Sequence, residues 1–217
     1  MKNILLSTAV LLALSTTLKA EGIDDVSVSA NMSLTSNYIW RGMTQTHNGP
    51  AIQGGIDLGM NGFYLGTWGS NVSWVGETDN SMEVDYYAGY ANKYEALEYD
   101  LGFIRYAYPQ ADGSNEFDEV YLGLSYDFGV IALSATYSLG LDDAADDIEV
   151  GASVPLPYDI SLDAAYGMYD TVGDRVTASL GKSLGKFDFS LAYAQFSADS
   201  GSAADEDNVY LTVGTSF

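Results

Sequence analysis

Twelve times between Val26 and Phe217 the chain alternates apolar with small or polar residues over roughly ten positions, and then turns. Side chains of a β-strand point alternately to its two faces, so each stretch presents one apolar and one polar face. In the last stretch Val209, Leu211, Val213 and Thr215 share a face, opposite Asn208, Tyr210, Thr212, Gly214 and Ser216. In the first, Val26, Val28, Ala30, Met32 and Leu34 oppose Ser27, Ser29, Asn31, Ser33 and Thr35. Val120 to Phe128 and Ile131 to Leu139 repeat the pattern cleanly. About ten residues is the length a tilted membrane strand needs, and an even strand count lets a single antiparallel sheet close. The expected fold is an all-β, up-and-down antiparallel transmembrane β-barrel of about 12 strands.

The connections support this independently. Short links are expected at Asn61-Gly62, a strong two-residue hairpin signal, and at Asn92 to Ala96, Gly129, Pro155 to Asp159 and Ser183 to Gly185. Longer polar ones fall at Thr44 to Asn48, Val75 to Asn80, Pro109 to Glu116, Leu141 to Asp147, Asp170 to Asp174 and Ser197 to Asp207. Short turns at one end and long loops at the other are the layout of a membrane barrel. A soluble lipocalin-like barrel would instead turn its apolar residues inward around a ligand. Two stretches resist assignment. Phe63 to Trp74 is aromatic on both faces, and in Leu97 to Tyr108 the parity puts Arg105 on the lipid side, which a bulge or a rim position would resolve.

Residues 1–20 have the order of a secretory signal: Lys2, an apolar run from Ile4 to Leu14, then Ser15 to Thr17, with cleavage expected after Ala20. Residues 21–217 form one expected domain. Losing Lys2 and Lys19 leaves six basic residues against 30 acidic, a net charge of −24. Such a surface argues against nucleic acid as a partner. There is no cysteine, which removes disulfides, thiolate metal sites, cysteine nucleophiles and a lipoprotein anchor together. Tyr at 17 and Gly at 23 are abundant; Tyr settles where one end is dry and the other wet.

Within Ser33 to Gly49 the run Ser-Leu-Thr-Ser-Asn-Tyr-Ile-Trp-Arg-Gly-Met-Thr-Gln-Thr, ending at Thr46, resembles the TorF porin family of Gram-negative bacteria. Pro50 to Gly55, Gly66 to Val72 and Glu83 to Tyr90 are similar to the same family. Where Asn37 and Trp40 stand, the family pattern usually carries an acidic residue and Phe. The resemblance implies an outer-membrane barrel, with lipid and lipopolysaccharide around it and the barrel-assembly machinery as a partner. A strand ending on Phe217, with Tyr210 upstream, resembles the assembly signal of such barrels.

By strand parity Asp57, Glu83, Asp85, Asp100, Glu119, Asp127, Asp163 and Asp188 point into the barrel. Arg41 and Arg175 share that parity, near the outer ends of their strands. Either these charges cross-brace a filled interior, since buried charges must pair, or they form an eyelet across a pore. The expectation is a pore for small hydrophilic solutes that prefers cations. A second acidic set, Asp142, Asp143, Asp146, Asp147 and Glu149 with Asp205, Glu206 and Asp207, is assigned to outer loops, as a solvated face or a weak divalent-cation site. Neither run has EF-hand spacing. The single histidine, His47, lies in the first long loop beside Thr44, Thr46 and Asn48, and would have to anchor any hydrolase. No catalytic residue, metal or cofactor is expected. The alternatives are a barrel hydrolase and a closed structural barrel.

Overall fold

The computed structural model describes residues 26–74, 81–109, 115–201 and 203–217. The secretory-signal reading lies outside the described residues, as does the loop from Val75 to Asn80. Twelve strands close an antiparallel barrel in the order β1, β14, β13 and so on down to β4, which returns to β1. They are β1 (Ser27–Thr35), β4 (Ala51–Met60), β5 (Phe63–Asn71), β6 (Met82–Tyr94), β7 (Leu97–Ala107), β8 (Phe117–Asp127), β9 (Ala132–Gly140), β10 (Asp147–Leu156), β11 (Ile160–Tyr169), β12 (Gly173–Leu184), β13 (Phe187–Ala198) and β14 (Glu206–Ser216). Two short strands, β2 (Ile39–Trp40) and β3 (Met43–Thr44), pair only with each other. Phe217 donates its N–H to Ala30 at 2.8 Å and accepts from Ala30 at 3.2 Å, completing the seam between the first and last strands.

The barrel is apolar outside and polar inside. Ile52 is 65% exposed, Leu211 50% and Leu122 45%, all on the outer face beside neighbours of the same kind. A continuous exposed apolar band of this extent has no place on a water-soluble monomer and suits hydrocarbon. Aromatic rings gather at both edges of the band. Phe63, Tyr94, Phe128, Tyr158 and Phe187 mark the short-turn rim. At the opposite rim the phenols of Tyr137 and Tyr193 donate to the carboxylates of Asp146, in the loop before β10, and Asp207, near the start of β14. Amphipathic rings favour this boundary between apolar and wet surroundings.

Turn chemistry explains the short-turn rim. Asn61 (φ 52°) and Gly62 (φ 89°) both take the left-handed conformation that a tight two-residue hairpin requires. The β6 strand continues to Tyr94, so its turn is tighter than the sequence suggests. At the other rim the Asp170-Thr171-Val172 connection is also a tight turn rather than a long loop; Val172 N–H closes it onto Tyr169 O at 2.9 Å. The register of β5 is now fixed: Tyr64, Gly66, Trp68 and Ser70 point inward, and Phe63 and Leu65 outward. Arg105 needs no bulge. Its register partner is Asp118, and it pairs at the outer rim with Glu116 at 2.5 Å and Asp118 at 3.2 Å.

Candidate pore and its inward hairpin

The first long loop, between β1 and β4, turns into the barrel. Ile39 pairs with Thr44 and Trp40 with Met43, so Arg41 and Gly42 form a two-residue hairpin turn with φ of 46° and 85°. Positive φ at both central residues is the signature of a type I′ turn, and glycine tolerates it without strain. A Cβ on Gly42 would lie 3.0 Å from the Arg175 Cβ and 3.1 Å from the Phe196 Cβ, so the hairpin tip rests directly on β12 and β13. Arg41 therefore sits at the tip of an inserted hairpin, not at the outer end of a barrel strand. The sequence pattern misplaced it because Ile39 and Trp40 read as a continuation of β1.

Arg41 is 9% exposed and holds Glu119 on β8 through two bonds of 2.7 and 2.8 Å, a bidentate charged pair. Its Nε lies 3.5 Å from Asp147 on β10. The guanidinium lies against two rings that meet edge to face, Trp40 at 4.4 Å and Tyr169 at 4.6 Å. Asp147 in turn takes two bonds from Arg175 on β12, at 2.5 and 2.9 Å, and Arg175 also reaches Glu149 at 2.8 and 3.1 Å. The result is a continuous chain Glu119–Arg41–Asp147–Arg175–Glu149 across the outer half of the lumen. Both arginines are cross-braces. Asp147 and Glu149 are corrections: the sequence assigned them to an outer loop, but they share the inward face of β10 with Gly151 and Ser153. That parity was visible in the sequence and was masked by the run of acidic residues preceding it.

The rest of the hairpin is bonded as thoroughly. Tyr38 donates to Glu83 at 2.7 Å, and Tyr108 donates to the other oxygen at 2.9 Å. Burial, and then the negative charge of Glu83, pushes the Tyr38 phenol well above its ordinary range, so it remains a donor. Asn37 donates to Asn48 at 2.9 Å and to Asn208 on β14 at 3.1 Å, while its own oxygen accepts from Thr44 at 2.7 Å. Thr44 N–H donates to Glu206 at 2.9 Å, and Trp74 Nε1 donates to Gln45 at 3.0 Å. Glu206 is thus an inward residue at the start of β14, not part of a loop. Tyr38 and Gln45 were not singled out from the sequence, and Asn37 only as a departure from the family pattern, although all three lie within the segment that resembles the porin family.

The other predicted lumen residues divide by depth. Asp85 is buried on β6 with its Oδ1 unpartnered. Closer to the short-turn rim, Asp57 accepts from Tyr87 at 2.5 Å, and Asp100 accepts from Tyr64 at 2.7 Å, which also bonds Tyr121. These tyrosines lie over glycines: a Cβ on Gly66 or Gly102 would come within 2.4 Å of the Tyr87 or Tyr121 ring, and one on Gly89 within 2.2 Å of the Tyr64 oxygen. Asp163, on β11, is buried and accepts from Ser161 at 2.9 Å. Asp127 stands exposed at the rim, accepting from Gly129 N–H at 2.6 Å. Asp188, near the same mouth, accepts from Ser183. Tyr210 faces the lumen, opposite Ala192, and Phe217 is exposed at the seam. His47 is exposed, while the Thr44 and Thr46 hydroxyls beside it are spent on Asn37. Among the described residues no group of three or more His, Cys, Asp or Glu is placed to hold a metal.

A family model described as "Bacterial protein of unknown function (Gcw_chp)" matches residues 19–201. No curated protein matches the sequence. Among solved structures, the chain is similar to the KdgM porin, with a TM-score of 0.63, 12% identity, and coverage of 87% of this chain and 98% of that one. It is also similar to OccK3 (OpdO) of Pseudomonas aeruginosa, with a TM-score of 0.51, 13% identity, and coverage of 91% and 67%. At these identities the shared property is the barrel fold.

Proposed function

The chain belongs to the Gcw_chp family, and from its barrel we propose a porin-like channel of the Gram-negative outer membrane that passes small hydrophilic solutes and prefers cations. The observation that carries the reading is the asymmetry of the lumen. One wall, β5 to β8, is filled by Tyr64, Trp68, Tyr87, Tyr106 and Tyr121. The opposite wall carries short side chains: Ser134, Thr136, Gly151, Ser153, Ala165, Ser190, Thr212 and Gly214, all partly exposed although they face inward. An eight-strand barrel is just filled by its side chains, whereas a twelve-strand barrel half lined by Ser, Ala and Gly leaves room along that wall. The inserted hairpin narrows the outer mouth of this passage.

Charge supports the cation preference. The two lumen arginines are fully engaged with Glu119, Asp147 and Glu149, while Glu83, Asp85, Asp57, Asp100 and Asp163 have no cationic partner among the described residues. Carboxylates in a low-dielectric passage concentrate cations and repel anions. The resemblance of the hairpin segment to TorF porins and the KdgM-like barrel support the porin part of the reading. Reconstitution in planar bilayers tests the reading: discrete conductance steps are expected, and a heat-modifiable, inserted barrel that never conducts would favour a closed structural barrel instead. His47→Ala is expected to leave conductance unchanged. Lipid or peptide hydrolysis that vanished with this change would establish the enzyme reading.

A further inference from the structure

Two buried side-chain oxygens without a partner lie on one face of the inner wall. Asp163 on β11 is 5% exposed, and its Oδ1 has no partner; Thr177 on β12 is 8% exposed, and its Oγ1 has none. The β11–β12 register sets Asp163 opposite Ser179 and Ala165 opposite Thr177, so Asp163 and Thr177 are diagonal neighbours on one face. Diagonal pairs across antiparallel strands lie about 7–8 Å apart at Cα, within reach of a bridging atom. On the other side the register sets Ser153 of β10 opposite Asp163, so the carboxylate stands between two serines. The nearest inward basic residue along β12 is Arg175, two positions from Thr177, and its nitrogens are committed to Asp147 and Glu149. Asp163 keeps one neutral donor, the Ser161 hydroxyl on Oδ2 at 2.9 Å, and a buried carboxylate so thinly bonded is costly unless a countercharge meets it.

We infer that this pocket binds a monovalent cationic centre, either an alkali-metal ion or the ammonium group of a solute. Asp163 supplies the single negative charge, and Thr177, Ser179 and Ser153 supply neutral oxygens. All four donors are hard oxygen atoms, the chemistry that suits Na⁺, K⁺ and primary ammonium, and one carboxylate matches one positive charge. The inference rests on the reading of a cation-attracting lumen, and it locates a resting place for the ion on the small-residue wall, beside the passage.

Binding, measured separately from conduction, tests it. The refolded full-length barrel in zwitterionic detergent is titrated with NaCl at constant ionic strength, and ²³Na transverse relaxation is followed. Saturable excess relaxation is expected, displaced by K⁺ or methylammonium and not by tetramethylammonium, which has no N–H to donate to these oxygens. It is expected to be lost in Asp163→Asn and at least halved in the isosteric Thr177→Val, and to persist in Asp142→Asn in the outer loop. Displacement by K⁺ alone identifies an alkali-ion site, and displacement by methylammonium as well identifies an ammonium site. Heat-modifiable migration verifies that each variant is folded, and Thr177→Val serves should Asp163→Asn fail to fold. Equal relaxation in wild type and both variants would overturn the site, with a trapped water in its place. A barrel that binds Na⁺ at Asp163 but conducts nothing would leave the site standing and remove the channel reading.

Discussion

Replacing Arg41 with Gln keeps most of the side-chain volume and removes the charge that holds the hairpin down. Two charge-assisted bonds to Glu119, of 2.7 and 2.8 Å, disappear, and Glu119, 1% exposed, is left without a cation. Breaking a buried pair from one side costs about 3–5 kcal/mol. The stacking on Trp40 and Tyr169 is lost as well, at about 0.5–2 kcal/mol per desolvated contact. Opposing this, the hairpin retains Tyr38 on Glu83, Asn37 on Asn208, Thr44 on Glu206 and Trp74 on Gln45. Each neutral bond contributes about 0.5–1.5 kcal/mol and each bond to a charged group about 1.5–3 kcal/mol. Docking therefore survives but weakens by at least ~3 kcal/mol, a rise of about a hundredfold in the undocked population at 1.4 kcal/mol per tenfold. Because the chain has no cysteine, Met43→Cys on β3 is a clean reporter. In the Arg41→Gln background it is expected to react with a maleimide about a hundredfold faster, and single-channel records are expected to show longer high-conductance dwells. Adding Glu119→Gln removes the uncompensated charge and is expected to return the labelling rate most of the way to wild type. Wild-type labelling and unchanged conductance in Arg41→Gln would refute the latch.

Three further outcomes are expected. Leu122→Arg, at the middle of β8 on the outer face, is expected to destabilise the inserted barrel by about 2–4 kcal/mol in a urea-unfolding assay, and the inward Ser125→Arg by much less; equal damage would contradict the assigned faces. Deleting Phe217 removes both bonds to Ala30 at the seam and is expected to lower the yield of heat-modifiable protein in the outer membrane, whereas an undiminished yield would show that the seam closes without it. The Tyr38 phenol is raised in the docked hairpin by burial and by Glu83, so its contribution is fully present below its ordinary pKa of about 10 and is lost as pH rises beyond that. The Met43→Cys labelling rate, taken relative to that of a free thiol at the same pH, is expected to be flat from about pH 7 to 9 and to rise above about pH 10, and Tyr38→Phe is expected to abolish that rise.

The barrel was legible because a period of two survives in most strands: β14 shows it from Asn208 to Ser216, and a one-residue slip would carry Leu211 into the lumen. Asn61-Gly62 announced its own turn for the same reason, a local conformation that few residues adopt. The inserted hairpin was not legible. Ile39 and Trp40 alternate like barrel residues, and only Arg41-Gly42 marks the reversal, a weaker signal than Asn-Gly. Nor could the sequence pair Arg41 with Glu119, 78 residues away, because the contact depends on a loop folding inward rather than on strand neighbours. Asp147, Glu149 and Glu206 were hidden by adjacent loop carboxylates of the same composition. Which of the inward acids remain unpaired, Asp163 above all, depends on where two arginines land.

The most direct test of a cation-preferring channel is the reversal potential across a tenfold KCl gradient in a planar bilayer. The lumen carboxylates left without a cationic partner predict a potential whose sign reports K⁺ permeating faster than Cl⁻, moving toward zero in Asp57→Asn/Asp85→Asn as fixed negative charge is removed. A potential of the opposite sign would give control of the passage to Arg41 and Arg175 and contradict the account.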